Sequence, residues 1–109
     1  MTELNAGKLR HRVVIEAVVR TPDLGGGAAE TWVTVAEAWA EIVPASGNEA
    51  IDADQIAGRV SHVLHLRTGL GIEPEMRIRM GARLFEIRAV IDLAERRRWL
   101  RILAEEREL

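Results

Sequence analysis

The sequence predicts a mainly β protein: a small antiparallel β-barrel or sandwich of about six strands, with one short helix between the second and third. Three observations lead there. Apolar and polar residues alternate along several segments, which is the period of a half-buried strand. Breaks rich in glycine and proline separate those segments, as turns require. The chain has 109 residues, enough for one core and too few for two, so residues 1–109 are read as a single domain.

The first strand spans Arg10 to Val19, with Val13, Ile15, Ala17 and Val19 on one side and Arg12, Glu16 and Arg20 on the other. Thr21 to Gly27 follows without periodicity, and its triplet Gly25, Gly26 and Gly27 reads as a flexible loop. From Glu30 to Val43 the β-branched and aromatic content favours a long strand. Ala36, Glu37, Ala38 and Ala40 are good helix formers, which makes a helix the competing reading. Trp32 and Trp39 are seven residues apart and fall on opposite faces of an unbroken strand, so a bulge between them is needed to bring both inside.

Pro44 stops this run, and Ser46-Gly47-Asn48-Glu49 has the Ser-x-x-Glu form in which hydroxyl and carboxylate close each other's backbone donors at a helix start. The helix would turn Ile51 and Ile56 to the body and Asp52 and Asp54 outward, ending at Gly58. Beyond it, Val60, His62, Leu64 and Leu66 alternate with Ser61, Val63, His65 and Arg67 as a third strand. Thr68 to Pro74 is a turn-rich connection. Met76–Met80 and Arg83–Asp92 form a hairpin across Gly81-Ala82, whose leading glycine suits a two-residue type II′ turn. In the second of these strands Phe85, Ile87, Ala89 and Ile91 oppose Glu86, Arg88 and Asp92. A last strand runs from about Trp99 to Glu105 after the polar turn Glu95 to Arg98. Largely buried, each of the three tryptophans would remove about 150–250 Å² from water and organise the core or a subunit contact.

Composition narrows the function. With 48% hydrophobic and 29% charged residues the chain is an ordinary globular one. Its net charge of -2 gives no global attraction to phosphate. It has no cysteine, which removes disulfides, thiolate metal sites and cysteine nucleophiles. No window is long and apolar enough for a signal peptide or membrane span, so a protein made in the cytoplasm is expected.

Chemistry-bearing patterns are sparse. His62 and His65 are three apart on a strand and point to opposite faces, so they do not share a metal. His11 stands among Lys8, Arg10 and Arg12, where a cation is repelled. The glycine triplet lacks the lysine and hydroxyl of a phosphate-cradling loop. Glu37 and Glu41 share a strand face, and such a pair does acid-base chemistry only if burial splits its pKa values; a solvated face is the plainer reading. No catalytic residue, metal or cofactor is expected, and the protein is not read as an enzyme. The basic clusters Lys8-Arg10-His11-Arg12 and Arg96-Arg97-Arg98 are read as solvated or subunit-facing charge.

Several segments together resemble the phage head-tail joining family, also described as head closure or stopper proteins. Asn5 to Val13 is similar to its Gly-x-Leu-x-x-Arg approach to the first strand. Thr31-Trp32 with Val35 to Ile42 resembles its paired-tryptophan segment, and Ser46 to Glu49 its Ser-Gly-x-Glu helix start. Gly71-Ile72-Glu73-Pro74-Glu75-Met76-Arg77 resembles its Gly-Ile-x-Pro-x-Met-Arg turn, and Phe85 to Val90 with Trp99-Leu100 its last strands. The triplet at Gly25 departs from the commoner pattern.

The resemblance implies a virion protein at the head–tail interface of a tailed phage or gene-transfer-agent-like particle. It further implies a ring of 6 or 12 copies below the portal and adaptor, meeting tail terminator or tail proteins and passing double-stranded DNA without reading its sequence. Ser46, Asn48, Glu49, Asp52, Asp54 and Gln55 are then channel-facing candidates, and Lys8, Arg10, Arg12, Trp32, Trp39 and Arg77 are subunit or adaptor contacts. The alternative reading is a small-barrel binder of single-stranded nucleic acid, which needs exposed tryptophans as stacking platforms.

Overall fold

A computed structural model describes residues 6–45, 59–67, 69–93 and 99–108. A single 3-10 turn at Ala6–Lys8 leads into six strands: β1 (His11–Pro22), β2 (Ala28–Pro44), β3 (His62–Arg67), β4 (Arg77–Met80), β5 (Arg83–Asp92) and β6 (Trp99–Glu108). Every pairing is antiparallel, and the order β1-β2-β3-β6-β5-β4 closes into a barrel. The barrel is thus the form the alternation takes, and the sandwich is excluded. The helix expected from Ser46 to Gly58 lies outside the described residues, as does the polar turn at Glu95 to Arg98.

The interior is built from Val13, Ile15, Ala40, Leu64, Leu66, Ile72, Ile78, Phe85, Ile87, Leu100, Ile102 and Ala104. These come from all six strands and from the loop before β4, so the core exists only once the sheet has closed. Phe85 is the one aromatic side chain in this cluster. Ala36, Ala38 and Ala40 face inward along β2; their small side chains fit the alternation of small and large residues that a narrow barrel needs. That explains a strand made of good helix formers: tertiary packing decides where local propensity is weak.

Two bulges set which side chains face in. In β2 the register passes from Ile15↔Ala36 to Glu16↔Thr34, which leaves Val35 unopposed. Trp32 and Trp39 therefore do share a face, but it is the outer one. Neither indole enters the interior cluster: Trp39 is 51% exposed, and Trp99 is buried without joining that cluster either. In β5 the register passes from Ile87↔Ala104 to Ala89↔Leu103 and leaves Arg88 unopposed. Val90 consequently packs on the interior, while Ala89 and Ile91 turn out, contrary to simple alternation. The β4–β5 turn is as read: Met80 pairs with Arg83, and Gly81 takes the positive φ of 60° that a type II′ turn demands at its first central residue.

β3 is buried on both faces. Leu64 and Leu66 face the interior, while Val63 forms a second apolar cluster with Leu103, Val43, Ala45, Val60 and Ala89 on the other side.

β1 and β2 outgrow the barrel. β1 meets β4 only at Val14, Ile15 and Glu16, and β2 meets β3 only from Glu41 to Pro44. From Ala17 to Pro22 and from Ala28 to Val33 the two strands pair solely with each other. This two-stranded arm is roughly 20 Å long at the usual rise per residue, and it accounts for a molecule 53 Å long and 27 Å across.

Replacing Phe85 by alanine should lower unfolding free energy by about 3–5 kcal/mol, read from the denaturant midpoint. A loss near that of a surface substitution would mean that the interior is not organised around this ring.

Candidate functional site

The interior of the barrel is lined by apolar side chains, and the polar and charged groups lie on its outside. Three side-chain groups stand out there and at the barrel's end.

The first lies where the arm leaves the barrel. Glu16 is 4% exposed, although its strand face looks solvated in sequence. It accepts hydrogen bonds from Arg77 Nε at 2.7 Å and forms an ion pair with Arg79 Nη2 at 3.1 Å. Arg77 in turn lies 3.9 Å from the centroid of the Trp32 ring. A guanidinium held by a carboxylate and stacked on an indole has both its charge and its flat face satisfied. Arg77, Arg79 and Glu16 all belong to the β1–β4 seam, so the group fastens the point where the barrel closes.

The second group is at the start of β1. Lys8, Arg10, His11, Glu41 and Ile42 line an open cleft of about 330 Å³. Beside it the Arg12 guanidinium sits 5.5 Å from the Trp39 centroid, because Arg12 and Trp39 are register partners. Beneath runs a hydrogen-bonded chain, Glu41–His65–Arg101, in which Glu41 and His65 are buried and Arg101 is half-buried. Arg101 Nε donates to His65 Nε2 at 3.1 Å, and His65 Nδ1 lies 2.9 Å from Glu41 Oε1. Because a guanidinium can only donate, Nε2 accepts and the ring proton sits on Nδ1, pointing to the carboxylate. These three residues are neighbours in the ladder of β2, β3 and β6.

The third group plugs one end of the barrel. His62 meets Phe85 edge-on at 5.3 Å, and its Nδ1 lies 2.9 Å from Ser61 Oγ. Arg83 Nε donates to Glu106 Oε2 at 2.7 Å. Desolvation pushes the His62 pKa below its ordinary value, opposed by Glu106 and assisted by Arg83. The hydrogen bond from Arg83 holds the Glu106 carboxyl below the usual range, and that from Arg88 does the same for Glu105.

The expected contact residues therefore fall into two sets. Lys8, Arg10, Arg12 and Trp39 gather at the start of β1, and Trp32 and Arg77 meet at the root of the arm. On the shared outer face of β2 the two tryptophans stand roughly 20 Å apart. Gly25, Gly26 and Gly27 form the tip of the arm, where Asp23 Oδ1 accepts from Gly25 N at 2.8 Å and Gly27 N at 3.0 Å. Ser46, Asn48, Glu49, Asp52, Asp54 and Gln55 lie outside the described residues. Glu37 and Glu41 are on one face but do not share a fate: Glu37 is exposed and Glu41 is buried against His65. His62 and His65 point to opposite sides of β3, as three-residue spacing requires. The buried roles of Glu16, Glu41 and His65 escaped the sequence, since nothing local tells a paired carboxylate from a wet one.

A family model for phage head completion proteins matches residues 4–107. The chain belongs to the phage head completion protein family. Two solved structures agree with its fold along nearly the whole length. One is a chain of the virion of a native gene transfer agent particle, 31% identical, covering 93% of this chain and 96% of that one with a TM-score of 0.66. The other is a solution structure of a protein from Shigella flexneri 2a, 28% identical, covering 94% and 96% with a TM-score of 0.75. No curated protein matches. This head completion protein is thus a virion component of the head–tail region, and its family is one of structural phage head proteins.

Two outcomes follow from the geometry. Glu16→Ala leaves two guanidiniums without their acceptor; Arg79 is partly solvated and recovers some of the loss, so destabilisation should be about 2 kcal/mol, measured by chemical denaturation. A neutral result would remove the seam group from the stability of the barrel. For pH, His62 binds its proton less readily folded than unfolded, so its contribution is fully present above about pH 6.5 and declines as pH falls below it. Glu105 and Glu106, also lowered, extend the decline below about pH 4.5. Thermal melts across that range should show His62→Gln flattening only the upper part of the decline, and an unchanged profile would count against the assignment.

Proposed function

We propose that this head completion protein forms a ring of six or twelve copies beneath the portal and its adaptor. There it closes the filled head, retains the DNA and offers a docking face to tail terminator or tail proteins. The observation that carries this reading is the whole-chain match to head completion proteins, together with the likeness to a chain of a gene transfer agent virion.

The physical features support it. A closed barrel has no free edge within its wall, which suits a rigid block that must stack against unlike neighbours. Lys8, Arg10, Arg12 and Trp39 form one contact candidate, and Trp32 with Arg77 a second, at different heights on the same side of β2. Stacked arginine–aromatic pairs of this kind are common anchors of protein interfaces. In this reading Ser46, Asn48, Glu49, Asp52, Asp54 and Gln55 face the channel. A net charge of -2 suits a conduit, because strong phosphate contacts would retard passing DNA.

One observation favours the single-stranded nucleic-acid reading, namely Trp39, half exposed beneath the Arg12 guanidinium, with a cleft lined by Lys8, Arg10 and His11 near the start of β1. A lone platform already stacked on Arg12 makes a poor groove, since such binders use several successive aromatic side chains.

Cryo-electron microscopy of purified particles should show density for this chain as a ring below the portal, and its absence from intact tailed particles would refute the reading. Titration of the isolated protein with short single strands should leave tryptophan fluorescence unchanged; salt-sensitive quenching abolished by Trp39→Ala would bring the alternative forward.

A further inference from the structure

In the arm formed by the ends of β1 and β2, both outer strand edges have no ladder partner. Isolated two-stranded hairpins are marginal in water, and long bare edges invite pairing with another chain. The usual protections are thin here. Residues 28–34 of β2 contain neither lysine nor proline, and β1 has its proline only at its last position, Pro22. On the side away from β1, β2 has no ladder partner before Glu41, and the bulge at Val35 separates the arm's part of that edge, Ala28–Thr34, from the part beside the barrel.

The two faces of the arm differ. By alternation from the interior residues Val13 and Ile15, one face carries Ala17, Val19, Thr21, Ala29, Thr31 and Val33, with no charge at all. Val19 and Val33 are 44% and 41% exposed. The other face carries Val18, Trp32 and the pair Arg20–Glu30, joined at 3.2 Å.

We infer that the arm's edges pair with a second copy of this chain: the β1 edge, Ala17–Pro22, with the β2 edge, Ala28–Thr34, of the next subunit. This rests on the ring reading above and names the contact that would join its members. Three features of the arm select a second copy over an unrelated strand.

Direction is the first. Copies related by rotation about an axis along the arm all point the same way, so one copy's β1 runs opposite to its neighbour's β2. The new pairing is then antiparallel, as inside each hairpin. Such a head-to-tail contact closes when the rotation closes. Charge is the second. Arg20 lies on the β1 edge and Glu30 on the β2 edge, so each Arg20 falls between its own Glu30 and the neighbour's, and like charges are kept apart. Area is the third. A single arm edge is far smaller than the roughly 800 Å² per partner of a stable interface. A ring gives every subunit two such contacts, one on each edge, and makes them mutually dependent.

The result is a collar of arms standing on the barrels. Its uncharged side is a continuous band of valine, alanine and threonine, and its other side carries the alternating Arg20 and Glu30 charges.

The geometry sets a distance. Equivalent β1 residues of adjacent copies lie two strand spacings apart, about 10 Å. Since the chain has no cysteine, Val19→Cys introduces a single thiol at an exposed position. Particles carrying V19C, treated with a bis-maleimide of roughly that reach, should give covalent dimers of this chain and nothing larger, since each subunit has one thiol to spend; V33C should give the same. Rings visible below the portal by cryo-electron microscopy but no covalent dimer from either variant would overturn the collar and leave the ring standing. Links only to a different protein would assign the arm to that partner instead and likewise overturn it. Particles with no ring of this chain at all would refute the function proposed above, and the collar with it.

Discussion

The barrel closes through three residue pairs, and one buried carboxylate sits at that closure. Between β1 and β4 only Val14, Ile15 and Glu16 find partners, fewer than at any other seam. Ile15 and Ile78 face each other inside, and Glu16 grips Arg77 and Arg79 outside. Buried ion pairs often do no better than apolar contacts of the same size, because desolvation offsets attraction. What this one adds is direction. Two arginines on β4 converge on a single carboxylate of β1, and a slip by one residue would carry that carboxylate to the inner face. The interior cluster draws on every strand, so its formation is tied to the register of this short seam.

Everything above the seam is a consequence of where pairing stops. β1 continues past Glu16 and β2 begins well before it reaches β3, so the surplus strand is left as a ribbon. Trp32 and Arg77 sit at its root and brace it against β4. On the far side of the barrel the same economy operates with different residues: Glu41, His65 and Arg101 link β2, β3 and β6 in one hydrogen-bonded row. Both rows lie on the outer wall. The molecule thus combines a body whose strands are cross-tied on two sides with a ribbon tied only at its base.

Much of the architecture was legible in the sequence because strand alternation and turn chemistry are local. The six strands, the two-residue turn at Gly81 and the stop at Pro44 follow from neighbouring residues alone. The bulge near Val35 was legible as a requirement, since two tryptophans seven apart cannot share a face without one. Its direction was not, because nothing local tells that three alanines would claim the inside and leave both indoles out. Arg88 shows the same limit in β5: an unopposed residue is created by the partner strand, and the partner is remote in sequence. The burial of Glu16 depends on Arg77, sixty-one positions away, and that of Glu41 on His65. Such long-range pairing is invisible to periodicity. The family resemblance was readable because the short motifs keep their order along the chain, although no one of them is distinctive.

The turn at the end of the ribbon holds a last point. A run of three glycines has a large conformational entropy to lose when it is fixed, about 1–2 kcal/mol for each residue. Here the Asp23 carboxylate already collects the amides of Gly25 and Gly27, and the Asp23 amide donates back to the Gly27 carbonyl at 2.9 Å. Leu24 stands fully exposed on this closed turn. The ordering cost is therefore met within the subunit, before any encounter, and the leucine is held out on a preorganised knuckle. A surface that receives it gains the burial of an apolar side chain with little entropic penalty, so even a shallow apolar dimple on a neighbouring protein would suffice to seat it.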